Sequence, residues 1–186
     1  MDEGSGTNGG TDGAGAGAPT SGNGTERRTA TLMDSYTEMT EILLPNDTNN
    51  LGRALGGVVL HWMDLCGAVA AMRFSRRQCV TAAMDHVDFI SPIDQGEVAI
   101  VEAFVFDTGT TSIDVTVDVR AEDPRIGDER ETTTSYFTFV ALDTAGTPTE
   151  VPELRCPTEN QRKLRDTARE ERREQLEAVV DRMELD

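Results

Sequence analysis

Lysine is almost missing from this 186-residue chain. Of its 17 basic residues only Lys163 is a lysine and the rest are arginines, against 34 Asp and Glu, for a net charge of −17. A chain without a basic excess lacks the electrostatic footprint of a nucleic-acid binder, and anionic lipid would repel it. Histidine is nearly as scarce. His61 and His86 are the only two, too few for a three-histidine metal site, and no spacing of Asp, Glu and His matches a zinc or calcium loop. Cys66, Cys79 and Cys156 form no CxxC pair and are odd in number. Free thiols in a reducing cytoplasm are therefore expected, and no apolar leader of the secretory kind is visible. Acid excess with so little lysine reads as an acid-coated, salt-adapted surface of the halophilic type. That reading concerns solubility and leaves the fold open.

Residues 1–27 contain nine glycines, with Met1 the only large apolar side chain. Such a stretch cannot bury enough surface to offset its ordering entropy and is expected to be a disordered tail. A compact domain is expected over 28–157 and a helical extension over 158–186. Thr29 to Leu44 is Thr-rich and roughly alternating, which predicts a strand. Pro45 to Gly52 is a loop by composition. Ala54 to Met72 carries only His61 and Asp64 as polar side chains. It predicts a helix of about five turns, apolar nearly all round and therefore buried. A membrane span of similar length is disfavoured by the mid-segment aspartate, the glycines and the acidic, strand-rich sequence that follows. Arg73, Arg76 and Arg77 close this helix at its favourable, C-terminal end.

Four strands are expected after it: Cys79–Ile90, Glu97–Phe106, Thr111–Ala121 and Glu131–Leu142. The third alternates, with Ile113, Val115, Val117 and Val119 on one face and Asp114, Thr116, Asp118 and Arg120 on the other. One early helix followed by strands at hairpin spacing predicts an α+β domain, a single antiparallel sheet wrapped around the buried helix. Thr158 to Gln161 resembles a capping box. The charged helix after it, to about Met183, has one thin apolar stripe.

Asp64 is the leading chemical candidate. A lone carboxylate inside an apolar helix must find donors, gain a proton or line a polar cavity, and perturbed carboxylates concentrate at active sites. His61 lies three residues earlier on an adjacent face; it could form an acid/base dyad or be a packed core histidine. Cys66 reads as a small core hydrophobe. Gly56 and Gly57 open the helix without side chains, so a ligand could reach free N–H groups at the positive end of the dipole. That is the donor arrangement a developing oxyanion needs. Asn49 and Asn50 precede the helix, where an amide could hold a carbonyl or simply make a turn.

The string Pro45-Asn-Asp-Thr-Asn-Asn-Leu-Gly-Arg-Ala-Leu-Gly-Gly57 followed by Met63-Asp64-Leu-Cys-Gly resembles the signature of hotdog-fold acyl-CoA thioesterases, the brain-type acyl-CoA hydrolases and their bacterial relatives. Val80-Thr81 to Pro92, Gly109 to Val119, Phe137 to Asp143 and Val151 to Glu159 resemble further family segments in the same order. The resemblance implies a curved antiparallel sheet around one long central helix, plus the charged C-terminal helix. It implies a homo-oligomer of side-by-side dimers, often a trimer of dimers. It implies hydrolysis of acyl-CoA to a fatty acid and CoA with no metal or other cofactor. Asp64 then maps onto the acid/base or nucleophilic carboxylate, Asn49 onto an amide donated across the dimer interface, and Gly57 onto the N–H that polarises the thioester. Gly56 and the Gly109-Thr110-Thr111-Ser112 segment would lie along the CoA. With one lysine available, its phosphates would have to be met by arginines such as Arg73, Arg76, Arg77 or Arg120. A hotdog enoyl-thioester hydratase, which pairs an Asp with a His, and a non-catalytic acyl-CoA-binding hotdog protein are the other readings.

Overall fold

A computed structural model describes residues 27–184. The Gly-rich segment expected to be a disordered tail therefore lies, apart from Arg27, outside the described residues. The expected first strand is broken in two. β1 (Thr29–Thr31) ends in a 3-10 turn at Leu32–Asp34, and β2 (Thr37–Ile42) follows. The break is local chemistry: the Asp34 carboxylate accepts from both the N–H (2.7 Å) and the hydroxyl (2.8 Å) of Thr31, an alternative to ladder pairing.

Helix α1 (Gly56–Ser75) is followed by β3 (Gln78–Met84), β4 (Val98–Thr108), β5 (Ser112–Asp123), β6 (Asp128–Leu142), β7 (Glu153–Arg155) and helix α2 (Glu159–Glu184). Five antiparallel strands form a curled sheet in the order β2-β4-β5-β6-β3. β1 and β7 pair in parallel as a separate ribbon. α1 lies in the hollow of the sheet. Val115, Val117, Phe137 and Phe139 face it and are fully buried with Met63, Cys66 and Phe74. Each such side chain contributes about 1.5–3 kcal/mol by leaving water. Gly67 sets the depth at which the helix sits. A Cβ there would stand 3.1 Å from the Phe139 ring and 3.3 Å from Val117.

Two expectations need correction. α1 is not buried all round: Gly57, His61, Leu65 and Arg73 are exposed, because β3 is the sheet's last strand and covers only part of the helix. β3 also stops six residues before the expected Ile90. Beyond Met84 the chain leaves ladder pairing, and only the Asp85 and Ile90 N–H groups still reach the β6 edge, at the Tyr136 and Thr132 carbonyls (both 2.9 Å).

α2 crosses the outer face of the sheet and covers part of the polar face of β5. The Thr158 hydroxyl accepts from the Gln161 N–H at 3.2 Å and starts this helix. Ala168 packs on Phe106 and Tyr136. Arg172 pairs with Asp85 (2.8 Å) and Asp114 (3.0 Å) and lies 5.7 Å from the Phe106 ring centroid. Asp118, on the same face, is half-buried, and desolvation pushes its carboxyl above the usual range against the opposing hydrogen bond from Thr134. α1 is long and apolar enough to cross a membrane by length and composition; here it packs against the sheet.

Candidate active site

Asp64 sits in the third turn of α1, half-buried, facing β3. Its carboxylate accepts a hydrogen bond from the Thr81 hydroxyl at 2.5 Å. The donor that a lone helical carboxylate requires is thus a neighbouring strand's hydroxyl. Thr81 pairs with Phe139 in the β3–β6 ladder, so its position is set by backbone register and not by side-chain freedom.

Gly56 and Gly57 begin α1 after Leu55, whose backbone is extended and which supplies no side-chain cap. A Cβ on Gly57 would meet nothing within 4 Å. The first N–H groups of α1 therefore border open space, with the positive end of the helix dipole behind them. Asp64 stands seven residues further along, about 10 Å on the helix axis.

Asn49 holds its own loop. Its side-chain oxygen accepts from the N–H groups of Leu51 (2.9 Å) and Arg53 (3.2 Å), and its N–H donates to the Arg53 carbonyl (2.7 Å). The loop is tied to its neighbour by Ala54 N–H to the Ile93 carbonyl (2.9 Å) and Gln95 N–H to the Gly52 carbonyl (2.8 Å). Asn49 and Gly56 share a cavity of about 330 Å³ with Val59, Phe89, Ile90 and Thr132. One wall of it is anchored by Arg130. That side chain grips Glu97 with two hydrogen bonds (2.9 and 2.6 Å) and donates to the Pro92 carbonyl (2.7 Å) and the Ser91 hydroxyl (3.1 Å). The Arg130 hydrogen bonds hold the Glu97 carboxyl below the usual range. Asp64 does not line this cavity: within one chain, Asn49 and Gly56 are brought together and Asp64 with Thr81 stands apart.

The other candidates divide. His61 is exposed and so is not a core histidine. Cys66 is buried, its thiol near the Val101 carbonyl (3.4 Å), and desolvation pushes it up to about 12, far from a thiolate nucleophile. Gly109 to Ser112 form the β4–β5 turn, closed by Gly109 N–H to the Ser112 carbonyl at 3.0 Å, with the Thr110 and Thr111 carbonyls accepting from Val151 and Ala141. Arg73 donates to the Tyr36 carbonyl (3.0 Å) and the Thr37 hydroxyl (3.1 Å). Arg120 corrects the sequence reading. Strand alternation puts it on the face opposite Val119 and Ala121, away from α1, where Glu102 (2.7 Å) and Glu129 (3.0 Å) neutralise it. Arg76 and Arg77 lie just past the end of α1. Among the described residues, no three His, Cys, Asp or Glu side chains converge as metal ligands would.

Residues 51–127 match the thioesterase superfamily. The uncharacterized acyl-CoA thioester hydrolase YkhA of Bacillus subtilis is 38% identical over 135 residues, 73% of this chain and 78% of that protein. The chain belongs to the thioesterase superfamily. The crystal structure of an apo-hexameric acyl-CoA thioesterase superposes with a TM-score of 0.73 at 36% identity, over 82% of this chain and 97% of that one. An acyl-CoA hydrolase of Staphylococcus aureus, solved with butyryl coenzyme A and coenzyme A, superposes at 0.68 with 29% identity, over 83% and 98% of the two chains. That hydrolase was also solved with alanine in place of one asparagine, one aspartate and one threonine, the aspartate 15 residues after the asparagine and the threonine 17 after the aspartate. Asn49, Asp64 and Thr81 have the same spacing, 64 − 49 = 15 and 81 − 64 = 17. Thr81 is the residue beside Asp64 that the sequence analysis did not single out. A threonine in a Thr-rich chain carries no signal of its own; only its contact with Asp64 singles it out.

Proposed function

We propose that this protein hydrolyses acyl-CoA thioesters to a free fatty acid and CoA, and does so as a homo-oligomer in which two chains complete each site. The observation that carries the reading is the Thr81–Asp64 hydrogen bond, in a superfamily member whose Asn49, Asp64 and Thr81 repeat the spacing of the three residues substituted in the S. aureus hydrolase. The separation of Asn49 from Asp64 within one chain supports a shared site, as does the hexameric state of a similar thioesterase.

In this reading Asp64, held by Thr81, takes a proton from water as the oxygen adds to the thioester carbonyl. The Gly57 N–H and the Asn49 amide of the neighbouring chain stabilise the oxyanion. Collapse breaks the C–S bond, and the departing CoA thiolate takes up the proton. Direct attack by the Asp64 carboxylate, followed by hydrolysis of the anhydride, uses the same groups. Gly56 and the Gly109–Ser112 turn lie along the CoA, and no metal or other cofactor is needed. A cytoplasmic setting suits Cys66, Cys79 and Cys156, which are free thiols.

The test is release of free thiol from acyl-CoA substrates of several chain lengths. Asp64→Ala is expected to lower kcat by about 10²–10⁴-fold, the usual worth of a positioned general base. Undiminished turnover in a folded Asp64→Ala protein refutes the assignment.

A further inference from the structure

After β3 the chain runs past the open start of α1. Phe89 and Ile90, on this segment, line the cavity of about 330 Å³ that Asn49 and Gly56 share. A Cβ on Gly56 would stand 3.5 Å from the Phe89 ring. Phe89 is nonetheless 50% exposed and Ile90 69% exposed, so their own burial holds them only weakly. Two backbone hydrogen bonds to β6, at Asp85 and Ile90, bracket the stretch between them. A further support comes from outside the sheet.

Helix α2 supplies it. Arg172 donates to the Asp85 carboxylate (2.8 Å), and the Gln175 amide donates to the His86 carbonyl (2.9 Å). Three residues apart on one helix face, they reach consecutive residues of the segment. The anchor is itself fixed on the sheet. Arg172 also pairs with Asp114 of β5 (3.0 Å), donates to the Thr138 hydroxyl of β6 (3.3 Å) and lies over the Phe106 ring. Ala168, one turn earlier, packs on Phe106 and Tyr136. The far end of the segment is held separately, by Arg130 at Ser91 and Pro92. Phe89 and Ile90 are thus suspended between two arginine clasps.

The acyl chain is the apolar end of an acyl-CoA, and Val59, Phe89, Ile90 and Ile93 are the apolar lining of this cavity. Gly56 has no side chain, so the Phe89 ring bounds the cavity there. Where that ring stands depends on where residues 85 and 86 are held. An apolar pocket discriminates by about tenfold or more for a misfit of one methylene.

We propose that Arg172 and Gln175 of α2 are positioning residues for thioester hydrolysis. By holding Asp85 and His86 they seat Phe89 against the Gly56 end of α1 and set the wall that the acyl chain meets. The inference rests on the acyl-CoA reading above. It gives the charged C-terminal helix a part in substrate choice, exerted from the opposite face of the sheet.

The test uses the full chain carrying Arg172→Met and Gln175→Met together, assayed with the parent well below either unfolding temperature. kcat/KM for the longest acyl-CoA the parent turns over, relative to acetyl-CoA, is expected to fall about tenfold, through KM and not kcat. Phe89→Ala alone is expected to give the same fall, and all three changes together no more, since the clasp acts through the ring. An unchanged ratio, an equal loss on both substrates, or losses that multiply overturn the proposal. Amide hydrogen exchange reads the clasp without turnover. Faster exchange confined to residues 85–90 in the clasp variant supports it; unchanged exchange there, or a rise over the whole chain, overturns it. A parent that hydrolyses no acyl-CoA, beside a variant with that confined rise, refutes the acyl-CoA reading and leaves the clasp standing.

Discussion

Replacing Thr81 by valine removes one hydroxyl and keeps the shape and the β-branched character that suit a strand. The backbone pairing of Thr81 with Phe139 is untouched. What is lost is the 2.5 Å hydrogen bond to the Asp64 carboxylate. A hydrogen bond to a charged group is worth about 1.5–3 kcal/mol. If Asp64 must point at water in the transition state, that loss appears in kcat as a fall of roughly 10- to 150-fold. Thr81→Ser restores the hydroxyl and is expected to recover most of the rate. Thiol release at saturating acyl-CoA measures kcat, and circular dichroism with thermal unfolding checks the fold. A valine variant within twofold of the parent, beside an inactive Asp64→Ala variant, would show that the hydroxyl does not position the carboxylate.

Three further outcomes follow from the packing and the charges. Arg172→Met leaves the half-buried Asp85 and Asp114 without their cation. The cost is about 1–3 kcal/mol, between that of an exposed and a buried pair, which lowers Tm by roughly 2–12 °C for a chain of this size; an unchanged Tm in differential scanning calorimetry would contradict the ion pairs. Glu97 has its pKa depressed below the ordinary 4.5, first by the Arg130 hydrogen bonds. A carboxylate of lowered folded pKa stabilises above its unfolded pKa and loses that contribution as pH falls through the folded value. Glu97→Gln is therefore expected to flatten the decline of stability below about pH 4.5, and an equally steep acid decline in that variant counts against the pair. Finally, the −17 coat repels an anionic substrate, and salt screens exposed charge within about 10 Å at 0.1 M. KM for acyl-CoA is expected to fall as salt rises from about 0.05 to 1 M; a steady increase instead would mean that attraction at the arginines outweighs the coat.

Some of this was plain in the residues. The alternation of β5 announced its buried face, since Ile113, Val115, Val117 and Val119 are all interior. The long apolar run announced the central helix, and Gly56 and Gly57 its open start. The break after Thr31 was not read, because the Thr-rich alternation of residues 29–44 hid the local hydrogen bonds between Thr31 and Asp34 that compete with a strand. Asp64 stood out by contrast with its neighbours. Thr81 did not, because its role lies 17 residues from its partner and depends on how β3 lies beside α1. Arg120 looked free for phosphate until pairing across the sheet placed Glu102 beside it.

The amino-acid sequence alone determined which residues are apolar at which period, and hence one core helix, a sheet and a lone carboxylate inside the helix. These are local properties, set by 2.0- and 3.6-residue repeats and by the cost of isolating charge. Tertiary structure decided the partners. It gave Asp64 a hydroxyl, set Arg172 of α2 against Asp114 on the outer face of β5, turned Arg120 toward glutamates, and, among the described residues, left Arg28 and Arg77 unpaired around one cavity. Partnership depends on where distant segments meet, and that is fixed by register and packing across the whole sheet, which no short window of sequence contains.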